Sequence, residues 1–390
     1  MPFHSWGRGY TLWRLIVFSL LSLLFPSTIA WCSDVGFDGS LEIRGTYDTN
    51  VLLTADDYDF ELRRLAGNQT EEDDFYGSLL SDLKWSIPVN DFFEQKIRYR
   101  AEMERYADLD DENAENNRLE FLPTFYLSDN VDLILEYDFE YDNRRPGAEY
   151  LRPDYLQNEA GATLDWEPYY GGTLLFGYLY ENRNYKSLTG TPFDDYSGHL
   201  GRLGWEHRFN KKTRANVELR YLIRDYADDT LDANGDPIPG QAREDEEGEL
   251  RLALTHLLTS KTLLRAGYVY RDHFATGEFY DYDLHRVSGI WVQELPWRTR
   301  LQTYLHHDWR NYDRQAAQET TRSVSTGESI QDPTDDERAD RQFLFLLNLT
   351  KELGKGFSCG TEFRYLDNQS NDDSSAYNSQ SYSLFVRYRF

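Results

Sequence analysis

The sequence predicts an all-β fold, a transmembrane antiparallel up-and-down β-barrel of about 16 strands, and three observations carry that expectation. Apolar and aromatic residues recur at every second position through nearly the whole chain. The connections between these stretches alternate between short and long. The first 30 residues have the layout of an export signal. The alternation is plainest in "VDLILEYDFEYD" (131–142), where Val131, Leu133, Leu135, Tyr137, Phe139 and Tyr141 share one parity. Asp132, Glu136, Asp138, Glu140 and Asp142 share the other, with only Ile134 out of character. A helix would scatter these residues around its axis, whereas a strand puts each set on its own face.

At the N-terminus, His4, Arg8 and Arg14 precede the apolar run "LIVFSLLSLLF" (15–25), and "PSTIA" ends on the small residue Ala30. That run is too short to span a bilayer as a helix, which needs roughly 20 residues. Residues 1–30 therefore read as a signal peptide and 31–390 as the barrel. Cys32 could invite lipid attachment, but Trp31 stands where that processing wants a small residue.

In chain order, the period of two marks strands near 36–48, 74–87, 92–106, 117–127, 131–142, 156–167, 173–185 and 196–209. It continues at 213–226, 247–257, 261–273, 283–294, 298–312, 340–350, 357–367 and 379–390, the stretch at 283–294 having ambiguous facing. Each is long enough to cross a bilayer as a tilted strand, which takes about 9–11 residues. The short connections are "PVN" (88–90), "SDN" (128–130), "PYYGG" (168–172), "NKK" (210–212), "LTS" (258–260), "PW" (296–297) and "KELGKG" (351–356). Long polar connections at 49–73, 107–116, 143–155, 227–246 and 313–339 separate them. Transmembrane barrels sort their connections in this way, with short periplasmic turns and longer outer loops, and a soluble sandwich has no reason to.

The aromatic residues sort with the connections. Trp85, Phe93, Phe125, Trp166, Phe209, Trp297, Phe357 and Phe390 fall beside short turns or the C-terminus. Tyr47, Tyr106, Tyr141, Tyr180, Tyr226, Trp309, Tyr312 and Tyr365 fall at the long-connection ends, so two girdles are expected. A mean hydropathy of −0.71 would exclude a helical membrane protein but suits a barrel, whose strands need apolar residues at only half their positions.

The chain closes on "YSLFVRYRF", in which Tyr382, Leu384, Val386, Tyr388 and Phe390 alternate with mostly polar residues. This ending resembles the C-terminal strand of Gram-negative outer-membrane β-barrels, porin-like as a class, with no substrate-specific family assignable. The resemblance implies that the strand serves as an assembly signal for the barrel-assembly machinery. It also implies outer-membrane lipid and lipopolysaccharide as surroundings.

Without the signal, the chain keeps 39 basic against 68 acidic residues, a formal charge of −29, which argues against nucleic-acid partners. About 16 strands leave room for an aqueous lumen unless loops fill it. Parity then nominates Glu120, Asp132, Glu136, Asp138, Glu140, Glu159 and Asp165 as acidic pore-lining residues, with Arg118 the main counter-charge. Arg220, Arg224, Arg251, Arg265, Arg271 and Arg300 are the basic ones. The two sets lie on opposite sides of the ring, and a transverse field would orient dipolar solutes. Alternatively, the charges pair and merely keep the wall wet.

Acidic stretches at 55–61, 71–74, 108–116 and 243–249 are expected in the outer connections. "DANGD" (232–236) begins like a calcium loop but has Pro237 and Arg243 where glycine and glutamate belong, so no metal site is expected. No cofactor motif occurs, nor G-x-S-x-G or H-E-x-x-H. The "HHD" at 306–308, with Ser288 as a possible neighbour, is the one candidate hydrolytic cluster, and no enzyme is expected. The expected function is a porin-like passive channel for small hydrophilic solutes or ions, favouring cations. The alternative is a loop-plugged barrel that is structural, adhesive or sheathes a partner. The connections at 49–73, 227–246 and 313–339 are the candidates to fold inward.

Overall fold

A computed structural model of the chain describes residues 35–50, 73–108, 113–144, 155–185, 195–231, 237–277, 280–322, 329–372 and 376–390. The expected signal peptide, Cys32, the acidic stretch 55–61 and "DANGD" lie outside the described residues.

Sixteen strands form one closed barrel in which every strand pairs antiparallel with its chain neighbours, and β1 pairs with β16. They are β1 (Gly36–Asp48), β2 (Asp74–Asn90), β3 (Phe93–Tyr106), β4 (Ala114–Ser128), β5 (Val131–Arg144), β6 (Tyr155–Tyr169), β7 (Gly172–Tyr185) and β8 (Tyr196–Asn210). The ring continues with β9 (Thr213–Leu231), β10 (Pro237–Thr259), β11 (Thr262–Ala275), β12 (Tyr282–Leu295), β13 (Thr299–Arg322), β14 (Ser329–Gly354), β15 (Phe357–Ser370) and β16 (Tyr377–Arg389). Closure leaves no free sheet edge, the condition for a sheet to sit in hydrocarbon.

The two faces differ as the alternation requires. Ile43, Leu79, Phe176, Leu203, Leu219, Leu254, Leu305 and Leu384 are exposed on the outer face. The opposite parity holds the buried and half-buried charges: Glu42, Glu181, Asp245, Glu249 and Asp308. Side chains on this face reach past intervening strands: Arg202 of β8 pairs with Glu136 of β5, Arg224 of β9 with Glu181 of β7, and Arg44 of β1 with Glu362 of β15. Such pairs fit the concave face, where side chains converge. β12 resolves its ambiguous facing the same way, turning Tyr282, Leu284, Arg286 and Ser288 inward opposite Tyr312, Arg310, Asp308 and His306 of β13.

Two expected loops are strand instead. The 227–246 connection is mostly an extended β9–β10 hairpin, in which Glu244 already pairs with Asp225. The acidic run at 243–249 is therefore wall, not outer loop: Asp245, Glu247 and Glu249 face Arg243, Arg271 and Arg251. At 313–339 the backbone of β13 and β14 continues as a ribbon as far as Arg322 opposite Ser329, after a break in register between Asn311 and Ala316.

The aromatic girdles are also only half as expected. Trp85, Phe93, Phe125, Trp166, Phe209, Trp297, Phe357 and Phe390 have the outward parity or stand in turns, forming a belt at the short-turn end. At the other end Tyr47, Tyr141, Tyr180, Trp309 and Tyr365 face out, but Tyr106, Tyr226 and Tyr312 face in. The inward tyrosines meet in cross-strand pairs with tilted or edge-on rings, Tyr76 with Tyr106, Tyr155 with Tyr185, Tyr196 with Tyr226 and Tyr282 with Tyr312. Arg183, Arg224, Arg243, Arg310 and Arg338 lie over their rings. Near the ends of long strands an inward ring is as well placed as an outward one, because the arginine beside it supplies a cation for its face.

Candidate functional site: the inner wall

Every charged position nominated from the sequence has the inward parity, and the structure brings most of them together as pairs. In the acidic sector, Asp138 accepts from Arg118 at 2.6 Å, and Glu120 takes Arg118 at 3.3 Å and also Arg100. Glu140 accepts from Asn116 at 2.7 Å and from Tyr155 at 2.8 Å. Glu136 is held by Arg202, which also bonds Thr163 at 2.5 Å. Glu159 accepts from the Gln157 amide. Asp132 and Asp165 stand opposite one another across β5 and β6, neither ion-paired among the described residues, and one Asp165 oxygen is buried without a hydrogen-bond partner.

The basic sector is similarly matched. Arg220 bonds Glu218 at 2.5 Å, Arg224 bonds Glu181 at 2.8 Å, and Arg300 bonds Glu294 at 2.7 Å. Arg251 and Arg271 share Glu249, Arg271 at 2.8 Å. Arg265 alone of the six has no ion pair among the described residues.

Sequence reasoning underweighted the partners. Arg98, Arg100 and Arg202 bring cations to the acidic sector, and Glu181 and Glu247 bring acids to the basic one. A signal for this was available. Residues i and i+2 share a face in a strand, and Glu42-x-Arg44, Glu218-x-Arg220, Glu249-x-Arg251, Arg243-x-Asp245 and Arg338-x-Asp340 all form ion pairs. A recess of about 730 Å³ opens along β1–β4 and β16, lined by Glu42, Arg44, Asp82, Arg100, Arg118 and Arg387 among others. A second charge cluster closes the seam: Glu42, 4% exposed, accepts from Arg44 at 2.8 Å and from Arg387 at 2.7 Å. Thr46 and Ser383 add a buried hydroxyl pair at 2.9 Å.

The candidate hydrolytic cluster does not assemble. Ser288 is the cross-strand partner of His306, but the His306 Nδ1 hydrogen-bonds the Tyr304 hydroxyl at 2.9 Å. The Asp308 carboxylate is occupied by Arg286, at 2.7 and 2.5 Å. Among the described residues, no group of three or more His, Cys, Asp or Glu side chains is arranged to hold a metal ion.

The C-terminal strand presents Tyr382, Leu384, Val386, Tyr388 and Phe390 on the outer face, Leu384 at 67% exposure. Phe390 seals the seam, its backbone exchanging hydrogen bonds of 3.1 and 3.0 Å with Gly39. A Cβ at Gly39 would meet the Phe390 ring at 2.6 Å, so glycine is what lets the ring lie flat there.

A closed sixteen-strand barrel, apolar without and charged within, is the architecture of outer-membrane channels. No protein-family description matches the chain, and no curated protein matches it. Solved structures do. The outer-membrane channel DcaP of Acinetobacter baumannii aligns with a TM-score of 0.54 at 11% identity, over 92% of this chain and 97% of that one. A loop-deletion mutant of OmpT, an outer-membrane protein of Vibrio cholerae, aligns with a TM-score of 0.47 at 11% identity, over 92% and 99%. A triple mutant of the Rhodopseudomonas blastica porin gives a TM-score of 0.41 at 9% identity, over 92% and 100%. The chain thus shares the β-barrel fold of the outer-membrane channel DcaP.

Proposed function

We propose that the barrel is a passive channel for small hydrophilic solutes or ions, with cations favoured. The observation that carries this reading is what remains after the wall's ion pairs are set against one another. The acids left without a cation include Asp132 and Asp165 on β5 and β6, whereas the arginines left without an acid include Arg265 on β11, Arg310 on β13 and Arg364 on β15. β5 and β13 are eight strands apart either way round the ring, so Asp132 and Arg310 belong to opposite walls, with Arg265 and Arg364 two strands to either side of Arg310. A solute crossing between them meets a transverse field in a wet, low-dielectric-walled passage. The cation preference comes from the acidic long connections together with the unpaired carboxylates of β5 and β6. In the same reading, the outward apolar stripe of β16 is the assembly signal, and lipopolysaccharide and lipid surround the outer face.

The test is to insert the purified, detergent-folded protein into planar bilayers under a salt gradient. Discrete conductance steps with a cation-selective reversal potential are expected. A folded barrel that stays silent would remove the channel reading and favour the loop-plugged alternative.

A further inference from the structure

We infer that the inner wall over β13–β16 holds a binding station for small carboxylates with a short apolar tail, built from Arg364, His306, Gln342 and Tyr377 above Leu344 and Leu366. It rests on the channel reading in that solutes must reach the inner wall.

The register places these residues in adjacent rows. His306 of β13 pairs with Leu344 of β14, which pairs with Leu366 of β15. One inward position along the strands, Gln342 pairs with Asn368, and Asn368 with Tyr377 of β16. One position the other way, Arg364 pairs with Leu346. The Gln342 amide donates to the Tyr377 hydroxyl at 3.2 Å, tying β14 to β16 across β15. All four side chains have the inward parity and stand in adjacent rows of β13–β16, so they share one stretch of the inner wall.

Three features make this a site rather than a further stretch of paired wall. His306 is 7% exposed, and its buried Nε2 makes no hydrogen bond, with the Asp308 carboxylate 3.9 Å away and itself bound to Arg286. Nδ1 shares a hydrogen bond with the Tyr304 hydroxyl at 2.9 Å, and in the tautomer where the tyrosine donates, Nε2 carries the ring proton and is a donor. Arg364 is exposed on the inner face with no ion pair among the described residues, because the nearby acids are spent elsewhere. Glu362 pairs with Arg44, Asp340 with Arg338, and Asp308 with Arg286. Beneath lie Leu344 and the buried Leu366, apolar residues on a face that is otherwise mostly charged.

The guanidinium fork, a ring N–H and a phenol hydroxyl are all donors, so the ligand must be an acceptor and an anion. A planar fork matches a carboxylate through two parallel hydrogen bonds. The leucine floor takes a few carbons of apolar tail, which inorganic anions lack.

The experiment is titration calorimetry on the folded protein in detergent micelles, with butyrate as probe and butyramide and inorganic phosphate as comparators. Butyrate is expected to bind saturably and butyramide not at all. Arg364→Gln should weaken butyrate at least tenfold, Arg364→Lys should keep part of the binding, and Arg265→Gln, an unpaired arginine elsewhere on the wall, should leave it unchanged. Absence of butyrate binding to the folded barrel, equal binding by Arg364→Gln, or phosphate binding as tightly as butyrate would each overturn the inference. The micelle measurement needs no conduction. Binding by a barrel that is silent in bilayers would sink the channel reading and leave the station standing, and conduction without binding would do the reverse.

Discussion

At the scale of single residues, the inner wall is governed by a rule of pairing. A carboxylate removed from water costs several kcal/mol unless a cation and hydrogen bonds replace the lost hydration. Glu42 shows the rule at its strictest. It is almost fully buried and accepts from Arg44 and Arg387, which come from opposite sides of the seam where the first and last strands meet. Removing it leaves two guanidiniums facing each other in the seam. Glu42→Ala is expected to destabilise the barrel by about 3 kcal/mol, read as a lower urea midpoint for unfolding from lipid vesicles. Glu42→Gln, which keeps an acceptor but no charge, should fall between. Equal midpoints for Glu42→Ala and the parent would show that the seam is held by backbone pairing and Phe390 alone.

At the scale of elements, turns and strands are specified by different parts of the sequence. The β14–β15 turn passes through three successive left-handed residues, Gly354 (φ 94°), Lys355 (φ 51°) and Gly356 (φ 83°). The two glycines are not equivalent. A Cβ at Gly354 would have nothing within 4 Å, but one at Gly356 would lie 2.1 Å from the Arg389 carbonyl oxygen. Gly354→Ala should therefore cost only the left-handed penalty of about 1–2 kcal/mol. Gly356→Ala must also displace the end of β16, and is expected to slow folding into vesicles markedly more, as followed by tryptophan fluorescence. The β13–β14 ribbon gives a contrasting expectation. Its pairing beyond the register break after Asn311 adds length without closing the ring. Deleting 316–337 and rejoining the hairpin should leave the unfolding midpoint unchanged within error.

The same contrast explains what was legible in the sequence. Strand existence and facing were readable because burial on one side and lipid on the other leave a strict period of two, as in 131–142. Strand ends at the long connections were not. In 243–249 four acids run consecutively, Glu244 to Glu247, and that density reads as a solvated loop until Arg243, Arg251 and Arg271 are seen paired with the inward ones. The inward turn of Tyr226 and Tyr312 was legible in parity, because the expected strands 213–226 and 298–312 reach them. Their partners were not, since Arg243 and Arg338 come from a neighbouring strand. The pore-lining arginines were found by parity, but which of them stay unpaired depends on register, and no single strand reveals it.

At the scale of the whole molecule, a formal charge of −27 and a largely ion-paired wall give the proposed channel two separable sources of selectivity. The long connections are acidic in sequence, and the field of charges outside the wall is screened over the Debye length, about 10 Å at 0.1 M salt and about 3 Å at 1 M. The leftover wall charges, Asp132 and Asp165 against Arg265, Arg310 and Arg364, sit within a passage where screening is weaker. Reversal potentials measured at a fixed activity ratio, first near 0.05 M and then near 1 M salt, separate the two sources. The part of the cation preference that originates in the long connections is expected to fade strongly at high salt. Asp132→Asn combined with Asp165→Asn should then shift the residual selectivity toward anions, and Arg265→Gln should shift it toward cations by a similar amount. A preference that survived 1 M salt undiminished, and vanished only in the double aspartate variant, would place selection in the wall and make those two carboxylates its seat.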